Sequence, residues 1–265
     1  MTAASSATAA ARPADPAQLA GWLASRRAAT LELADGSAFE GFSFGYGGST
    51  TGEVVFNTGM VGYPESLTDP SYAGQILVLT FPLVGNYGVP DDEERDALGL
   101  LRHFESERIH IKALVVSDYS FVASHYTARK TLGQWLEAHK IPGIYGVDTR
   151  ALTKLIRMHG ALLGKVVVEG GAPSASMEFS DPNEANLAAS VSRSQKQVFV
   201  PPPLTADGAT APLAGKDEKQ VTILAVDCGM KNNIIRYFVE SLRVKLVVVP
   251  WDYDTLQKTS LMAYF

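Results

Sequence analysis

The sequence has very little cysteine, no excess of positive charge and no long apolar run. Cys228 is the only cysteine in 265 residues, which excludes an internal disulfide framework and a cysteine-clustered zinc site. The formal net charge is -5 and Lys and Arg do not cluster, which argues against binding to nucleic acid or an anionic membrane surface. No apolar run approaches the roughly 18 residues of a membrane span. We therefore expect a soluble, cytoplasmic protein whose partners are small molecules or other proteins.

The amino-terminal 28 residues are rich in alanine and contain two prolines. Such a segment buries too little surface to offset its ordering entropy, so residues 1–28 are predicted to form a disordered leader. It lacks the features of a secretory signal, whereas Arg12, Arg26 and Arg27 leave mitochondrial targeting open as an alternative to the cytoplasm. A first domain, residues 29–170, is expected to open with a β-hairpin that turns at Asp35-Gly36.

The most informative stretch runs from Thr51 to Pro90. Two strand-like segments, EVVFN and QILVLTF, flank loops that are dense in Gly, Pro, Asn and Ser. Within these loops, Pro70 suits a tight turn and would place Ser71 on a stiffened backbone. A hydroxyl held in this way can hydrogen-bond a small polar ligand with little loss of side-chain entropy. The alternative, which the residues alone favour, is that Ser71 only caps its own turn.

Three helices are predicted in the rest of the first domain. Two of them, Leu132 to Lys140 and Thr149 to His159, have clear end signals, such as Asp148 before and Gly160 after the second. A third is expected over Asp96 to Glu107, because four acidic residues precede it where a helix dipole favours negative charge. A metal-binding role for these acidic residues is disfavoured. The five histidines show no metal-ligand spacing.

The carboxyl-terminal part changes character twice. Residues 171–220 are rich in proline and polar residues and predict an interdomain connector, with a small helix near Leu187 and an edge strand near Val198. Residues 221–265 predict a parallel βαβ unit. Cys228 lies at its first strand-to-helix turn, but no histidine follows it in the chain, so a structural role is favoured over a nucleophilic one. The turn lacks the GxGxxG spacing of a dinucleotide site.

Several segments also resemble a known family. GEVVFNTGMVGYPESLTDPSY and QILVLTFPLVGNYG resemble the small-subunit N-terminal domain of glutamine-dependent carbamoyl phosphate synthetase. DCGMKNNIIR and VVVPWDY resemble the glutaminase part of the fused eukaryotic pyrimidine-pathway enzyme. The resemblance implies an α/β fold: a mixed-sheet β/β/α N-terminal domain followed by the incomplete, flavodoxin-like start of a class I glutaminase domain. It also implies that Ser71, in DPSY, contacts the glutamine substrate.

The resemblance leaves two functional hypotheses. In the first, the chain is the glutaminase-side portion of an enzyme that releases ammonia from L-glutamine for a synthetase partner, either a large subunit or fused synthetase domains. That partner would use ATP and magnesium to make carbamoyl phosphate for pyrimidines or arginine, and no cofactor is expected in this chain. The alternative is a non-catalytic docking or assembly module. The resemblance places the catalytic Cys, His and Glu beyond Phe265, so no catalytic residue and no glutaminase activity are expected in the chain alone.

Overall fold

The structure is a computed structural model that describes residues 26–171, 178–202 and 221–254. The chain divides into two compact units. The first unit takes its described residues from Met1–Leu67, Tyr72–Asp92 and Ile109–Pro182. The second unit takes its described residues from Thr68–Ser71, Glu93–Arg108 and Asn183–Phe265. Among the described residues, no helix is long and apolar enough to cross a membrane.

The first unit begins with the hairpin that the sequence predicts. Strand β1 (Ala28–Leu33) pairs antiparallel with β2 (Ala38–Gly45), and Gly36 occupies the turn with φ +88°. Only glycine adopts such an angle without a steric penalty, which is why Asp-Gly is typical of this turn. Backbone pairing with β2 extends slightly before residue 29, since the Arg27 carbonyl accepts a hydrogen bond from the Ser43 N–H. Most of the predicted leader, residues 1–25, lies outside the described residues.

Seven strands of the first unit close into a barrel of order β1-β2-β6-β5-β4-β3-β7. The pairs β3–β4, β4–β5 and β5–β6 are parallel and the other pairs are antiparallel. Strands EVVFN and QILVLTF are confirmed as parts of neighbouring β3 and β4. The remaining bounds are β3 Thr50–Asn57, β4 Gln75–Val84, β5 Ala113–Tyr119, β6 Pro142–Tyr145 and β7 Leu162–Val168.

Three helices belong to this unit, and one of them helps to fill the core. Helix α3 (Thr149–His159) is capped by the Asp148 carboxylate, which accepts the Ala151 N–H, and ends at Gly160, as predicted. Its Leu152 and Ile156 join the buried cluster that the strands contribute. Helix α2 (Leu132–Ala138) has a complete Thr131–Gln134 capping box, and α1 spans Tyr63–Leu67. The core of this unit is therefore almost entirely apolar.

The second unit contains a small mixed sheet of order β8-β10-β9. Strands β9 (Thr222–Asp227) and β10 (Lys245–Pro250) are parallel, which confirms the predicted βαβ unit. Strand β8 (Gln197–Phe199) adds to β10 antiparallel, as predicted for an edge strand near Val198. The crossover is helix α5 (Asn232–Arg236), which continues as a π-helical turn over Tyr237–Ser241, and α4 spans Leu187–Val191.

The helix predicted over Asp96 to Glu107 is wrong. The segment instead forms turns with a bridge between Arg95 and Leu101. The Asp96 carboxylate accepts the N–H groups of Leu98 and Leu100 at 2.9 and 3.0 Å, and Gly99 has φ +76°. A short acidic side chain that satisfies nearby backbone donors competes with helix formation, and the positive φ ends any helical run.

The architecture confirms the α/β class with a mixed sheet and a following βαβ unit. The predicted domain boundaries at residues 29, 171 and 221 stay predictions, since the two compact units interleave along the chain. Thr68–Ser71 and Glu93–Arg108 leave the first unit and join the second. Parts of the predicted connector and of the final segment, residues 172–177, 203–220 and 255–265, lie outside the described residues.

Candidate functional site

Ser71 lies on a short turn of the second unit, Thr68–Ser71, and is exposed. Pro70 is buried and begins a 3₁₀ turn. The Ser71 N–H donates to Oδ1 of Asp69 at 2.9 Å, so the turn is capped by the Asp69 carboxylate and not by the Ser71 hydroxyl. No described residue hydrogen-bonds the Ser71 hydroxyl. The geometry therefore argues against the alternative that Ser71 caps its own turn, and leaves its hydroxyl facing solvent.

The Ser71 turn is held to the second unit from two sides. On one side, the Thr68 hydroxyl accepts the Glu105 N–H at 3.0 Å, and the Thr68 carbonyl accepts the Ser106 hydroxyl at 2.6 Å. On the other side, Lys231 Nζ lies 3.0 Å from Oδ2 of Asp69. Since both Asp69 oxygens have partners, the backbone beneath Ser71 is fixed by charge as well as by hydrogen bonds.

The β9–α5 turn packs against the Ser71 turn. A Cβ built at Gly229 would lie 3.2 Å from Cβ of Pro70 and 3.0 Å from Cγ2 of Val191. Gly229 also has φ +107°, which L side chains rarely adopt. The position therefore requires glycine for both conformation and space, and this close contact couples the two turns.

The end of strand β9 carries a buried ion pair that sequence reasoning missed. The Asp227 residue is 1% exposed, and its Oδ1 accepts the N–H groups of Gly229 and Met230 at 2.9 and 2.7 Å. Its Oδ2 accepts the Arg193 N–H at 2.9 Å and lies 3.4 Å from Arg193 Nε. Burial lowers the pKa of Arg193, while the charge of Asp227 opposes that change. The sequence signals for Asp227 are its place at the carboxyl end of a parallel strand, a usual place for functional groups, and at the start of the DCGMKNNIIR segment, and neither signal points to Arg193.

Cys228 is exposed on the same turn. No described histidine or carboxylate hydrogen-bonds its thiol. Activated cysteine nucleophiles have an adjacent base, which is usually itself oriented by a third group. The described part of the second unit does not place such a group on Cys228.

The first unit contains a separate small cleft. The Tyr87 hydroxyl braces its rim by accepting the N–H groups of Gly62 and Tyr63 at 2.8 and 3.0 Å. Burial raises the pKa of both Tyr63 and Tyr87. Ser71 is not among the lining residues, which are Asn57, Gly59, Met60, Val61, Tyr63, Ser66, Leu79, Phe81, Leu83, Val84 and Tyr87.

Two large apolar side chains of this cleft project into solvent. Met60 is 71% exposed and Val61 is 77% exposed. The loop that carries them is not loose, because the Gly59 N–H donates to Oδ1 of Asn57 at 2.6 Å at one end and Gly62 is held by Tyr87 at the other. A braced loop that presents apolar side chains is typical of a protein contact surface. Among the described residues, no group of His, Cys, Asp and Glu is arranged to hold a metal ion.

Comparisons with known proteins identify the family of this chain. The family model "Carbamoyl-phosphate synthase small chain, CPSase domain" matches residues 31–166, about half of the chain. The multifunctional protein URA2 of Saccharomyces cerevisiae is 50% identical over 244 residues, which are 86% of this chain and 11% of that protein. The mouse "Carbamoyl-phosphate synthase [ammonia], mitochondrial" is 46% identical over 231 residues, 87% of this chain and 14% of that protein. The multifunctional protein CAD of Squalus acanthias is 48% identical over 225 residues, 85% of this chain and 9% of that protein.

The chain thus spans about a tenth of the length of these curated relatives. Among solved structures, the aminopeptidase from Aneurinibacillus sp. strain AM-1 aligns with a TM-score of 0.29 and 12% identity over 76% of this chain and 39% of that chain, from which nothing follows. The family model and the relatives cover the barrel, its cleft and the Ser71 turn. This chain belongs to the carbamoyl-phosphate synthase small-chain family and corresponds to the small-subunit region of the fused multifunctional enzymes.

Proposed function

We propose that this chain is the glutaminase-side portion of a glutamine-dependent carbamoyl phosphate synthetase. It would bind L-glutamine in part through Ser71 and support the transfer of ammonia to a synthetase partner that consumes ATP and magnesium. Two of the relatives are multifunctional proteins, which agrees with the resemblance to the fused pyrimidine-pathway enzyme. This favours the pyrimidine pathway over the arginine pathway. The cytoplasmic location stays a prediction.

The observation that carries this proposal is the solvent-facing Ser71 hydroxyl on a fixed turn. Its backbone N–H already has a partner in Asp69, so the hydroxyl can both donate to and accept from a ligand. Because the turn is held by the Lys231–Asp69 ion pair, little backbone entropy would be lost when glutamine binds. The chemistry itself would come from protein that continues the βαβ unit. We propose that the chain alone does not hydrolyse glutamine.

The test is a hybrid enzyme in which this chain replaces the matching segment of the Saccharomyces cerevisiae multifunctional protein. Ser71→Ala should raise the glutamine KM about two- to tenfold, the value of one lost neutral hydrogen bond. Synthesis driven by ammonia should not change, because ammonia bypasses the glutamine pocket. Both rates are measured as carbamoyl phosphate formed per unit time.

The matched control for this test is Ser194→Ala, an exposed serine of the same unit. It should change neither rate. If Ser71→Ala lowered the glutamine-driven and ammonia-driven rates together, Ser71 would be a folding residue. If it changed neither rate, the glutamine contact would be absent and the proposal wrong.

A second candidate function is a docking module without a role in glutamine use. The mouse relative is named as an ammonia-dependent enzyme, so similarity over this segment does not by itself imply glutamine chemistry. The braced, exposed Met60–Val61 loop supports this candidate. Its proposed occupant is the synthetase part of the same polypeptide or complex, because the relatives carry roughly nine-tenths of their length outside the matching segment.

Docking is tested by measuring the affinity of the purified chain for a synthetase partner. Met60→Ser combined with Val61→Ser should weaken binding about tenfold or more, since buried apolar anchors dominate interface energy. Val122→Ser, which changes an exposed valine of the same unit, serves as the control and should have little effect. Unchanged affinity in the double variant would remove this loop from the interface.

A further inference from the structure

The Ser71 turn is connected to Arg193 by a continuous series of polar contacts within the second unit. Ser71 donates to Asp69, Asp69 pairs with Lys231, and Lys231 follows the Asp227–Met230 turn. Asp227 holds that turn through two backbone N–H groups and pairs with Arg193. Every link is a hydrogen bond, an ion pair or a direct chain connection, so a displacement at one end has a physical route to the other.

Arg193 is largely buried and has several polar partners, unlike a typical surface arginine. Its side chain is 19% exposed, and its backbone N–H and its Nε both approach the Asp227 carboxylate. Its Nη1 donates to Gln197 Oε1, and its Nη2 lies 3.4 Å from Asn232 Oδ1. The planar guanidinium can reach three partners at once, whereas a lysine ammonium on a flexible stem cannot reproduce this arrangement.

The Asp227 carboxylate depends on this partner. A buried carboxylate that loses its cation is left as an uncompensated charge, and it reorients or takes up a proton to avoid that state. Either change would disturb the bonds from Gly229 and Met230 to Oδ1. A methyl group at Gly229 would lie only 3.2 Å from Cβ of Pro70, so the Gly229 turn is close enough for its displacement to reach the residue before Ser71.

We propose that Arg193, acting through Asp227 and the Gly229 turn, is a positioning residue that sets the place of the Ser71 hydroxyl for glutamine. This inference rests on the proposed function, since it assumes that Ser71 contacts the substrate. It gives the segment between α4 and β8 a role in substrate affinity that acts through the Ser71 turn.

The first test uses the full chain and measures backbone amide hydrogen exchange at Ser71. Arg193→Ala should increase the exchange rate of this amide, because a displaced Asp227–Met230 turn would move Lys231 and so loosen the Asp69 carboxylate that protects the amide. Arg102→Ala is the matched control, since Arg102 is an ion-paired but exposed arginine of the same unit. Exchange at Ser71 that is unchanged in Arg193→Ala would overturn the inference.

The second test is a double-mutant cycle in the hybrid enzyme. Arg193→Ala should raise the glutamine KM about two- to thirtyfold, the range for residues that act through a network, with the ammonia-driven rate unchanged. In a Ser71→Ala background the same substitution should have little further effect, because its target hydroxyl is gone. A purely structural role would lower both rates and would not depend on Ser71.

The outcomes separate the two proposals. If Ser71→Ala raises the KM and Arg193→Ala does not, or if their effects multiply independently, the positioning role is wrong and the glutamine contact stands. If Ser71→Ala itself has no effect, the proposed function is wrong. Should Arg193→Ala fail to fold, Asp227→Asn keeps the shape and removes the charge, and it must show the same KM effect and the same dependence on Ser71, or the inference fails.

Discussion

The two units of this chain are stabilised in different ways. The barrel has no free edge, and among the described residues of its unit Thr149 is the one that the buried polar and charged residues include. The second unit has an apolar cluster as well, but it also buries Asp69, Asp227 and Asn232 and holds its turns with ion pairs. Buried polar groups contribute little net stability but fix geometry, because any departure leaves them unpaired. The comparison indicates that the barrel supplies stability and that the second unit supplies a precisely placed turn.

The largest expected loss of stability comes from creating a cavity in the barrel. Leu31 is fully buried, and Leu31→Ala should lower the free energy of unfolding of the first unit by about 2–5 kcal/mol. Urea unfolding followed by ¹⁹F NMR of fluorotryptophan reports on this unit at Trp135 and on the second unit at Trp251. The Trp135 signal should shift its midpoint most. A larger shift at Trp251 would contradict the assignment of stability to the barrel.

The next effect breaks an ion pair in the second unit. Arg236 Nε lies 2.8 Å from Asp96 Oδ2, and the two side chains are 18% and 15% exposed. Arg236→Met leaves Asp96 without its cation and should cost about 3 kcal/mol, because a largely buried charge loses its partner. The same experiment should now shift the Trp251 midpoint. Equal shifts at both tryptophans would show that the two units unfold as one.

Alkaline pH should weaken the barrel selectively. Burial raises the pKa of Tyr119, which is 3% exposed and accepts the Gly133 N–H at 2.9 Å. A raised folded pKa means that stability is complete below the unfolded value near 10 and falls as pH rises toward the folded value, by about 1.4 kcal/mol per pH unit. The part of the tyrosinate absorbance that comes from buried tyrosines should therefore appear together with loss of the folded Trp135 signal. Tyr126→Phe, at an exposed position, should leave that midpoint unchanged.

The smallest effect concerns a surface pair. Arg95 and Glu107 form a close ion pair at 2.8 Å, but their side chains are 49% and 59% exposed. Glu107→Gln should change the free energy of unfolding by less than about 1 kcal/mol, since solvent and salt screen such pairs. A larger loss, measured by the same urea titration, would show that exposed pairs also hold the second unit together.

The sequence predicted the features that depend on local signals. Asp35-Gly36 fixed the first hairpin, Asp148 and Gly160 fixed the ends of α3, and the alternation of apolar segments gave the βαβ unit. These succeed because a turn or cap is decided by residues next to one another. The helix predicted over Asp96 to Glu107 was wrong because another local signal opposed it. The Asp96 carboxylate accepts the N–H groups of Leu98 and Leu100 and so stabilises a turn.

The candidate site was only partly predictable. Ser71 could be found because DPSY resembles a known motif, and its exposure on a tight turn agrees with the expectation. The pairing of Arg193 with Asp227 could not be predicted, because 34 positions separate the two residues and the DCGMKNNIIR segment that begins at Asp227 does not indicate a partner at Arg193. The hydrogen bonds that brace the Met60–Val61 loop could likewise not be predicted from the sequence, since they depend on Tyr87, which is 25 residues away from Gly62.

The proposed function depends on contact between the Ser71 hydroxyl and glutamine. The most direct measurement is a crystal structure of the hybrid enzyme with L-glutamine bound and its reactive cysteine replaced. We expect a polar atom of glutamine within about 3 Å of Ser71 Oγ, a hydrogen-bonding distance. A bound glutamine with no atom near that oxygen would contradict it.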